Sequence, residues 1–387
     1  MPAAIPLESV ADEWLQDFAR RSGSAAVAGI DGGTLLGERA ALGGFRIPGR
    51  VSAGGGCRLY AARDGDVALN LSRVDDRDLL PALFEIDADL STDAALRAHI
   101  AALDAKVSVA RGRRLGLAIA CDHEVPPASS ELLATSGVVS PPPRRAPRVL
   151  DLSALWAGPL AAHLLWLAGA AVTKVESRTR PDAMRDGDAA FFALLNQGKA
   201  SVVLDFADRS ALLALIERSD IVIEAARPRG LEQLGIRADE LVRGRPGLTW
   251  ITITGHGASG ETANWIGFGD DCAVAAGLSA ALRRATGRAG FVGDAIADPL
   301  TGIFAANAAW ESWASGRGGR LGIAMSGVVA EAMALAREQD AAAFDHHLVR
   351  WVAAAGEPFP LVRARKVTSV SLLGSETNSS LAEVMPC

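Results

Sequence analysis

From Arg148 onward the chain switches repeatedly between an apolar period of two and one near 3.6 residues, and that alternation leaves few folds open to it. RVLDLS reads as a strand, GPLAAHLLWLAG as a buried helix and AVTKVES as a second strand. SVVLDF, the helix ALLALIERS, the strand DIVIEAA, the short helix GLEQLG and the apolar strand LTWITITG follow in order. Strands separated by helices cannot be hairpin partners, so they line up in parallel and the helices cover both faces of the sheet. The expectation is an α/β fold with a doubly wound, Rossmann-like parallel sheet. Such sheets bind ligands beyond the carboxyl ends of their strands, which directs attention to the loops after Ser153, Glu176, Ala225 and Gly255.

Upstream, SPPPRRAPR (Ser140 to Arg148) forbids helix and ladder alike and reads as an extended connector. It divides the chain into a smaller mixed α/β domain over 1–139, a proline-rich linker over 140–148 and a large Rossmann-like domain over 149–335. A C-terminal helix and a tail returning to the large domain occupy 336–387. Within the first part, GGGCRLYAARDGDVALNLS (Gly54 to Ser72) reads as a glycine loop, a strand, an Asp-Gly turn and a second strand. DRDLLPALFEI and TDAALRAHIAALDAKVSVARGRRLG follow as two helical stretches.

A net charge of −6 with scattered basic residues argues against a nucleic-acid partner, while leaving room for a small anion held by local cations. The four cysteines (Cys57, Cys121, Cys272, Cys387) are far apart, with neither metal-site spacing nor disulfide density, so they read as reduced thiols. No metal site is expected. The N-terminus lacks a basic region followed by an apolar one, and no stretch approaches the roughly 18 apolar residues of a membrane span. The expected setting is the cytoplasm, with no membrane partner.

The first strand-to-helix turn, S-A-L-W-A-G-P (Ser153 to Pro159), has no G-x-G-x-x-G, so a dinucleotide cofactor is not indicated. It does place Gly158 and Pro159 at a helix start, where free N–H groups favour an anion or a developing oxyanion. Downstream, GDAIADPLTG carries Asp294 and Asp298. Asp298 precedes a proline at a helix start, and from local sequence it is either a capping residue or an exposed nucleophilic carboxylate.

From Val149 to about Ala334 the chain resembles the large domain of class III coenzyme A-transferases, the group of formyl-CoA transferase, carnitine CoA-transferase and α-methylacyl-CoA racemase. The similarity runs in order through VLDLSALWAGPLAAHLLWLAGAAVTKVE, PDAMR, FFALLNQGKASVVLDF, SDIVIEAARPRGLEQLG, ITITGHGASG, the D-x-x-x-G of Asp298 to Gly302, and GRGGRLGIAM. AGGGCRLYAARDGDVALNL resembles the family's glycine loop and the strands after it, and VSLLGSETNSSLAEV resembles its terminal segment. The small-domain-like part comes first here, which implies a rearranged or circularly permuted member.

The resemblance implies transfer of CoA between an acyl-CoA and a free carboxylic acid, with Asp298 forming an aspartyl mixed anhydride and then an aspartyl-CoA thioester. CoA enters as substrate, no cofactor is bound, and the implied assembly is a homodimer, possibly interlocked as in the family. The racemase branch needs a histidine base where Phe268 stands here, so epimerisation is the alternative, alongside a non-catalytic acyl-CoA-binding relative. Trp156 takes the place of a glutamine near the family's reacting centre, next to Ala157. The candidates for the CoA phosphates and adenine are Lys174, Arg178, Arg185, Lys199 and Arg227, and Gly54, Gly55 and Gly56 offer a lid or a hairpin lead-in. Trp156, Trp265 and Phe268 suggest an apolar acyl pocket.

Overall fold

The structure, a computed structural model, describes residues 4–87, 90, 92–206, 209–225, 228–360, 363, 365–368 and 370–384. Two sheets organise it. The smaller is antiparallel in the order β1 (Cys57–Ala61), β2 (Asp66–Asn70), β3 (Ala118–Cys121). As the Asp64–Gly65 pair predicts, β1 and β2 form a hairpin, with Ala61 opposite Asp66. The third strand was not expected, because LAIAC is a short apolar run without alternation.

The larger sheet has seven strands. Its edge is β4 (Ser130–Ala134), antiparallel to β10 (Gly319–Ala324); the parallel remainder runs β9 (Thr249–Thr254), β8 (Ile221–Glu224), β5 (Arg148–Asp151), β6 (Ala171–Ser177), β7 (Ala200–Leu204). The chain leaves β5 toward β6 and β7, then returns to the other side of β5 with β8. The sheet is the doubly wound parallel one that the alternation predicts, and its switch point lies between β5 and β8.

Side chains alternate between two apolar cores across this sheet. Val149, Ile221, Ile223, Ile251 and Ile253 face one core, and Leu150, Val222 and Trp250 face the other. The first core also receives the helices Ala157–Leu167 and Ala297–Ala314. Their close crossing is permitted by Gly302, where any side chain would meet Leu160 within 2.8 Å. The helix Glu8–Ser22 buries Val10, Leu15 and Phe18 in the same core, so the N-terminal segment covers one face of the large sheet. The residues 92–116, which read as one helical stretch, form two helices, Asp93–Ala101 and Ala105–Leu115. The break is fixed from outside the stretch. Asp64 accepts the Ala105 N–H at 2.7 Å and the Arg63 N–H donates to Leu103 O at 3.0 Å.

The outer edge of β7 is covered by side chains: Glu376 accepts the Ser201 N–H at 2.7 Å and Thr377 the Val203 N–H at 3.0 Å. These bonds satisfy groups that would otherwise invite pairing with another strand. Among the described residues no helix is long and apolar enough to cross a membrane.

Below the switch point two ammonium groups are sealed in the interior. Lys199 bonds Asp151 at 2.8 Å, Pro159 O at 2.9 Å and Asn196 at 3.0 Å, with its side chain 1% exposed. Lys174 bonds Ser153 O at 2.9 Å and Asp182 at 3.0 Å. Removing one member of a buried pair leaves an uncompensated charge, so Asp151→Asn is expected to lower stability by about 3 kcal/mol or more in urea unfolding. An unchanged urea midpoint would show that the pair does not hold the fold.

Candidate active site

Beyond the ends of β5, β8 and β9 lies a cavity of about 340 Å³ lined by Ala154, Leu155, Ala157 and Gly158 after β5, Ala225 after β8, and Ile253 to Gly255 at the end of β9. Trp265, Ile266, Gly267, Phe268 and Met325 close it, Arg73 stands at its wall, and Asp298 faces into it. Asp298 is therefore not turned away by its own helix. That helix starts at Ala297, two residues earlier than Pro299 suggests, and Asp298 sits in its first turn.

The turn before the helix Ala157–Leu167 carries Leu155 at φ 70°, and the turn before Asp298 carries Ala295 at φ 42°. Both are left-handed positions for residues with a Cβ, each costing on the order of 1–3 kcal/mol, and such strain concentrates at sites where geometry matters. Polar contacts hold both turns. Asp182 accepts the Leu155 N–H at 3.3 Å, and Asp270 accepts the Ala295 N–H at 3.1 Å.

The backbone N–H of Ala157, at the start of the helix Ala157–Leu167, lies close enough to the Asp298 carboxyl to favour its ionised form. The neighbours of Asp298 are mostly carboxylates. Arg39 reaches in from the helix Gly32–Leu42 and grips Asp294 with two bonds, Nε–Oδ2 at 2.8 Å and Nη2–Oδ1 at 2.5 Å. Its guanidinium lies 4.9 Å from the Trp156 ring centroid and 5.7 Å from that of Phe45. One guanidinium thus serves Asp294, Asp270 and Asp298. Burial pushes the Asp298 carboxyl up to about 7, with Arg39 and the Ala157 N–H pulling it down and Asp294 and Asp271 pushing it up. Asp270 is likewise raised to about 7 by burial and by Asp294. Gly269 makes the approach possible, since a Cβ there would fall 2.3 Å from Asp298 Oδ2.

A larger groove of about 1440 Å³ lies beside the cavity, and Trp265 lines both. Arg113 stacks over that indole at 4.0 Å and pairs with Glu124 at 2.7 Å. Lys106, Arg114 and Arg180 also line the groove, together with His123, Gln233 and His256. His256 is buried, its Nε2 3.8 Å from Asp271 Oδ2 and 4.0 Å from Cys272 Sγ.

Of the residues singled out from sequence, Ala157, Phe268 and Asp298 come together at the cavity. Trp156 does not line it. It is buried at the head of its helix, edge-on to Phe191 at 4.8 Å. Lys174 and Lys199 are the interior ammonium groups already described, and Arg185 is paired with Glu176 at 2.5 Å, so these cations bind the protein's own carboxylates and carbonyls. Arg178 is exposed on the loop after β6, and Arg227 lies outside the described residues. Gly54, Gly55 and Gly56 lead into the hairpin, where the Gly55 N–H donates to Ser52 O and Gly56 O accepts from Leu71. Gly54 approaches the Arg39 guanidinium, and none of the three is among the described residues lining the cavity. Sequence reasoning missed Arg39, Asp270 and Gly269 at the carboxylate, and Lys106, Arg113, Arg114 and Arg180 at the groove. Nothing in the local pattern of GERAAL or KVSVARGRRL marks them, since only packing brings those helices to this end of the sheet.

The family model for CoA-transferase family III matches residues 147–347, just over half of the chain. Among curated proteins, a probable fatty acyl-CoA transferase of Mycobacterium tuberculosis is 31% identical over 172 residues, covering 42% of this chain and 44% of its own. A succinate–glutarate CoA-transferase of Agrobacterium fabrum is 32% identical over 183 residues, covering 43% and 46%. A crystal structure of a hypothetical protein from Mycobacterium tuberculosis superposes with a TM-score of 0.45 at 27% identity, over 51% of this chain and 59% of that one. The chain spans less than half the length of the two curated relatives. The matched segment begins just before β5 and takes in the large sheet from β5 to β10, with every loop that reaches the Asp298 cavity from those strands, and the chain belongs to CoA-transferase family III.

Proposed function

We propose that the chain transfers CoA between an acyl-CoA thioester and a free carboxylic acid, with Asp298 as the attacking carboxylate. The observation that carries the reading is the place of Asp298: on a cavity wall at the sheet's switch point, near the N–H of Ala157 at a helix start. The relatives' names as CoA-transferases agree with it.

In this scheme an ionised Asp298 oxygen attacks the thioester carbonyl carbon, and the C–S bond breaks to release CoA thiolate and leave a mixed anhydride. The thiolate then attacks the aspartyl carbonyl, freeing the donor acid and leaving an aspartyl-CoA thioester. An acceptor carboxylate displaces CoA to form a second anhydride, and thiolate attack on the acceptor's carbonyl completes the exchange and restores Asp298. Each tetrahedral intermediate places negative charge on oxygen beside the first turn of the helix Ala157–Leu167, whose N–H groups and dipole stabilise it. Fixed donors of this kind cost no reorganisation as the charge develops.

The long groove suits the nucleotide end of CoA. Its volume exceeds the roughly 300–1,000 Å³ of an ordinary small-molecule site. Lys106, Arg114 and Arg180 supply positive charge for phosphate, and the groove shares the Trp265 wall with the Asp298 cavity. Epimerisation at the α-carbon needs a second proton acceptor, and the cavity offers phenylalanine at 268.

Asp298→Asn is expected to reduce acyl exchange by about 10³-fold or more while CoA-ester binding stays within roughly threefold. Hydroxylamine trapping with mass spectrometry is expected to place the modified carboxyl at 298, and modification elsewhere would remove the assignment. Because a proton on Asp298 blocks attack, the exchange rate is expected to climb with pH up to about 7 and level off above. Arg39→Gln withdraws the cation that favours the ionised form, so the midpoint of that profile is expected to move to higher pH. A profile unchanged in the variant would remove Arg39 from this role.

A further inference from the structure

The walls around Asp298 specify more than a place for a thioester. Resting on the transfer reading, we infer that the acyl group this site takes is apolar and medium in length, and that acyl groups ending in a second carboxylate are rejected. Six side chains carry the case: Leu155, Ile253, Trp265, Ile266, Phe268 and Met325 line the cavity, and the small residues between them add no charge. Leu155 is 38% exposed at the cavity and is held there in a left-handed backbone conformation, an apolar surface without cover in the free protein. An apolar chain laid against it would remove that surface from water.

The polar side chains in the lining are already engaged. Thr254 accepts the Gly257 N–H at 3.2 Å and donates to Ile323 O at 3.4 Å. Arg73, the one cation on the wall among the described residues, donates from Nε to Asp76 at 2.8 Å and from Nη2 to Gly116 O at 2.6 Å. A distal carboxylate would find the Arg73 charge already offset by Asp76 and would face the Asp298 carboxylate as well. The volume sets the length. At about 30 Å³ per water-sized unit, 340 Å³ holds roughly eleven non-hydrogen atoms, which is the thioester group and about eight carbons.

The test is a set of isothermal titrations of the full chain with acetyl-, butyryl-, hexanoyl-, octanoyl-, dodecanoyl- and succinyl-CoA. Affinity is expected to rise by about fourfold per methylene up to octanoyl and to stop rising by dodecanoyl. Succinyl-CoA, which differs from butyryl-CoA by the terminal carboxylate, is expected to bind at least about tenfold more weakly. Leu155→Arg, at an exposed position, is expected to reverse that order. Equal or tighter binding of succinyl-CoA, a flat response to chain length, or no binding of any ester overturns the inference. Esters that bind in the expected order without acyl exchange would count against CoA transfer and leave the apolar pocket standing; exchange with no chain-length preference would do the reverse.

Discussion

The end of the large sheet that carries Asp298 depends on two buried ammonium groups. Lys174 bonds Ser153 O and Lys199 bonds Pro159 O, so both brace the turn that leads from β5 into the helix Ala157–Leu167. Asp182 adds to the brace by pairing with Lys174 and accepting the Leu155 N–H. Burial lowers the Lys199 pKa to about 8, with Asp151 opposing, and Lys199 and Lys174 together hold Asp151 below the usual carboxylate range. The network stays ionised at neutral pH because its charges offset one another away from water. Without it, the strained Leu155 would relax, and the first N–H of the helix would lose its aim at Asp298.

A second balance operates on the other side of the cavity, where one guanidinium serves three carboxylates. Arg39 is itself held in the charged form by Asp294, Asp270 and Asp298, and it stacks beside Trp156. Too little positive charge would leave Asp298 protonated and unreactive. A cation bound directly to it would weaken it as a nucleophile. Placing the bidentate contact on Asp294 keeps the field while leaving Asp298 open to the cavity. The residue that provides this comes from the N-terminal helices, so the segment ahead of the hairpin completes the electrostatics around a carboxylate some 260 residues later.

Much of the sheet was legible because short runs rich in apolar and β-branched residues, such as VLDLS and ITITG, recur between helical stretches. Shorter strands escaped. LAIAC and ELLA have neither length nor alternation, and they are strands only because β2 and β10 lie beside them. The helical stretch 92–116 misled for a related reason: its apolar spacing runs on, while Asp64 and Arg63 in the hairpin turn break it from across the fold.

The sequence by itself determined the doubly wound sheet and directed attention to one end of it and to Asp298, since periodicity and a D-x-x-x-G segment in the right order are local properties of the chain. Tertiary structure alone decided what each charge does. A lysine's pattern says nothing of whether it ends at a ligand or beneath a turn, because that depends on which carboxylate the folded core delivers within 3 Å of it. Lys174, Lys199 and Arg185 found theirs inside, whereas Lys106 and Arg114 on one helix and Arg180 from a distant loop were left lining a groove of about 1440 Å³.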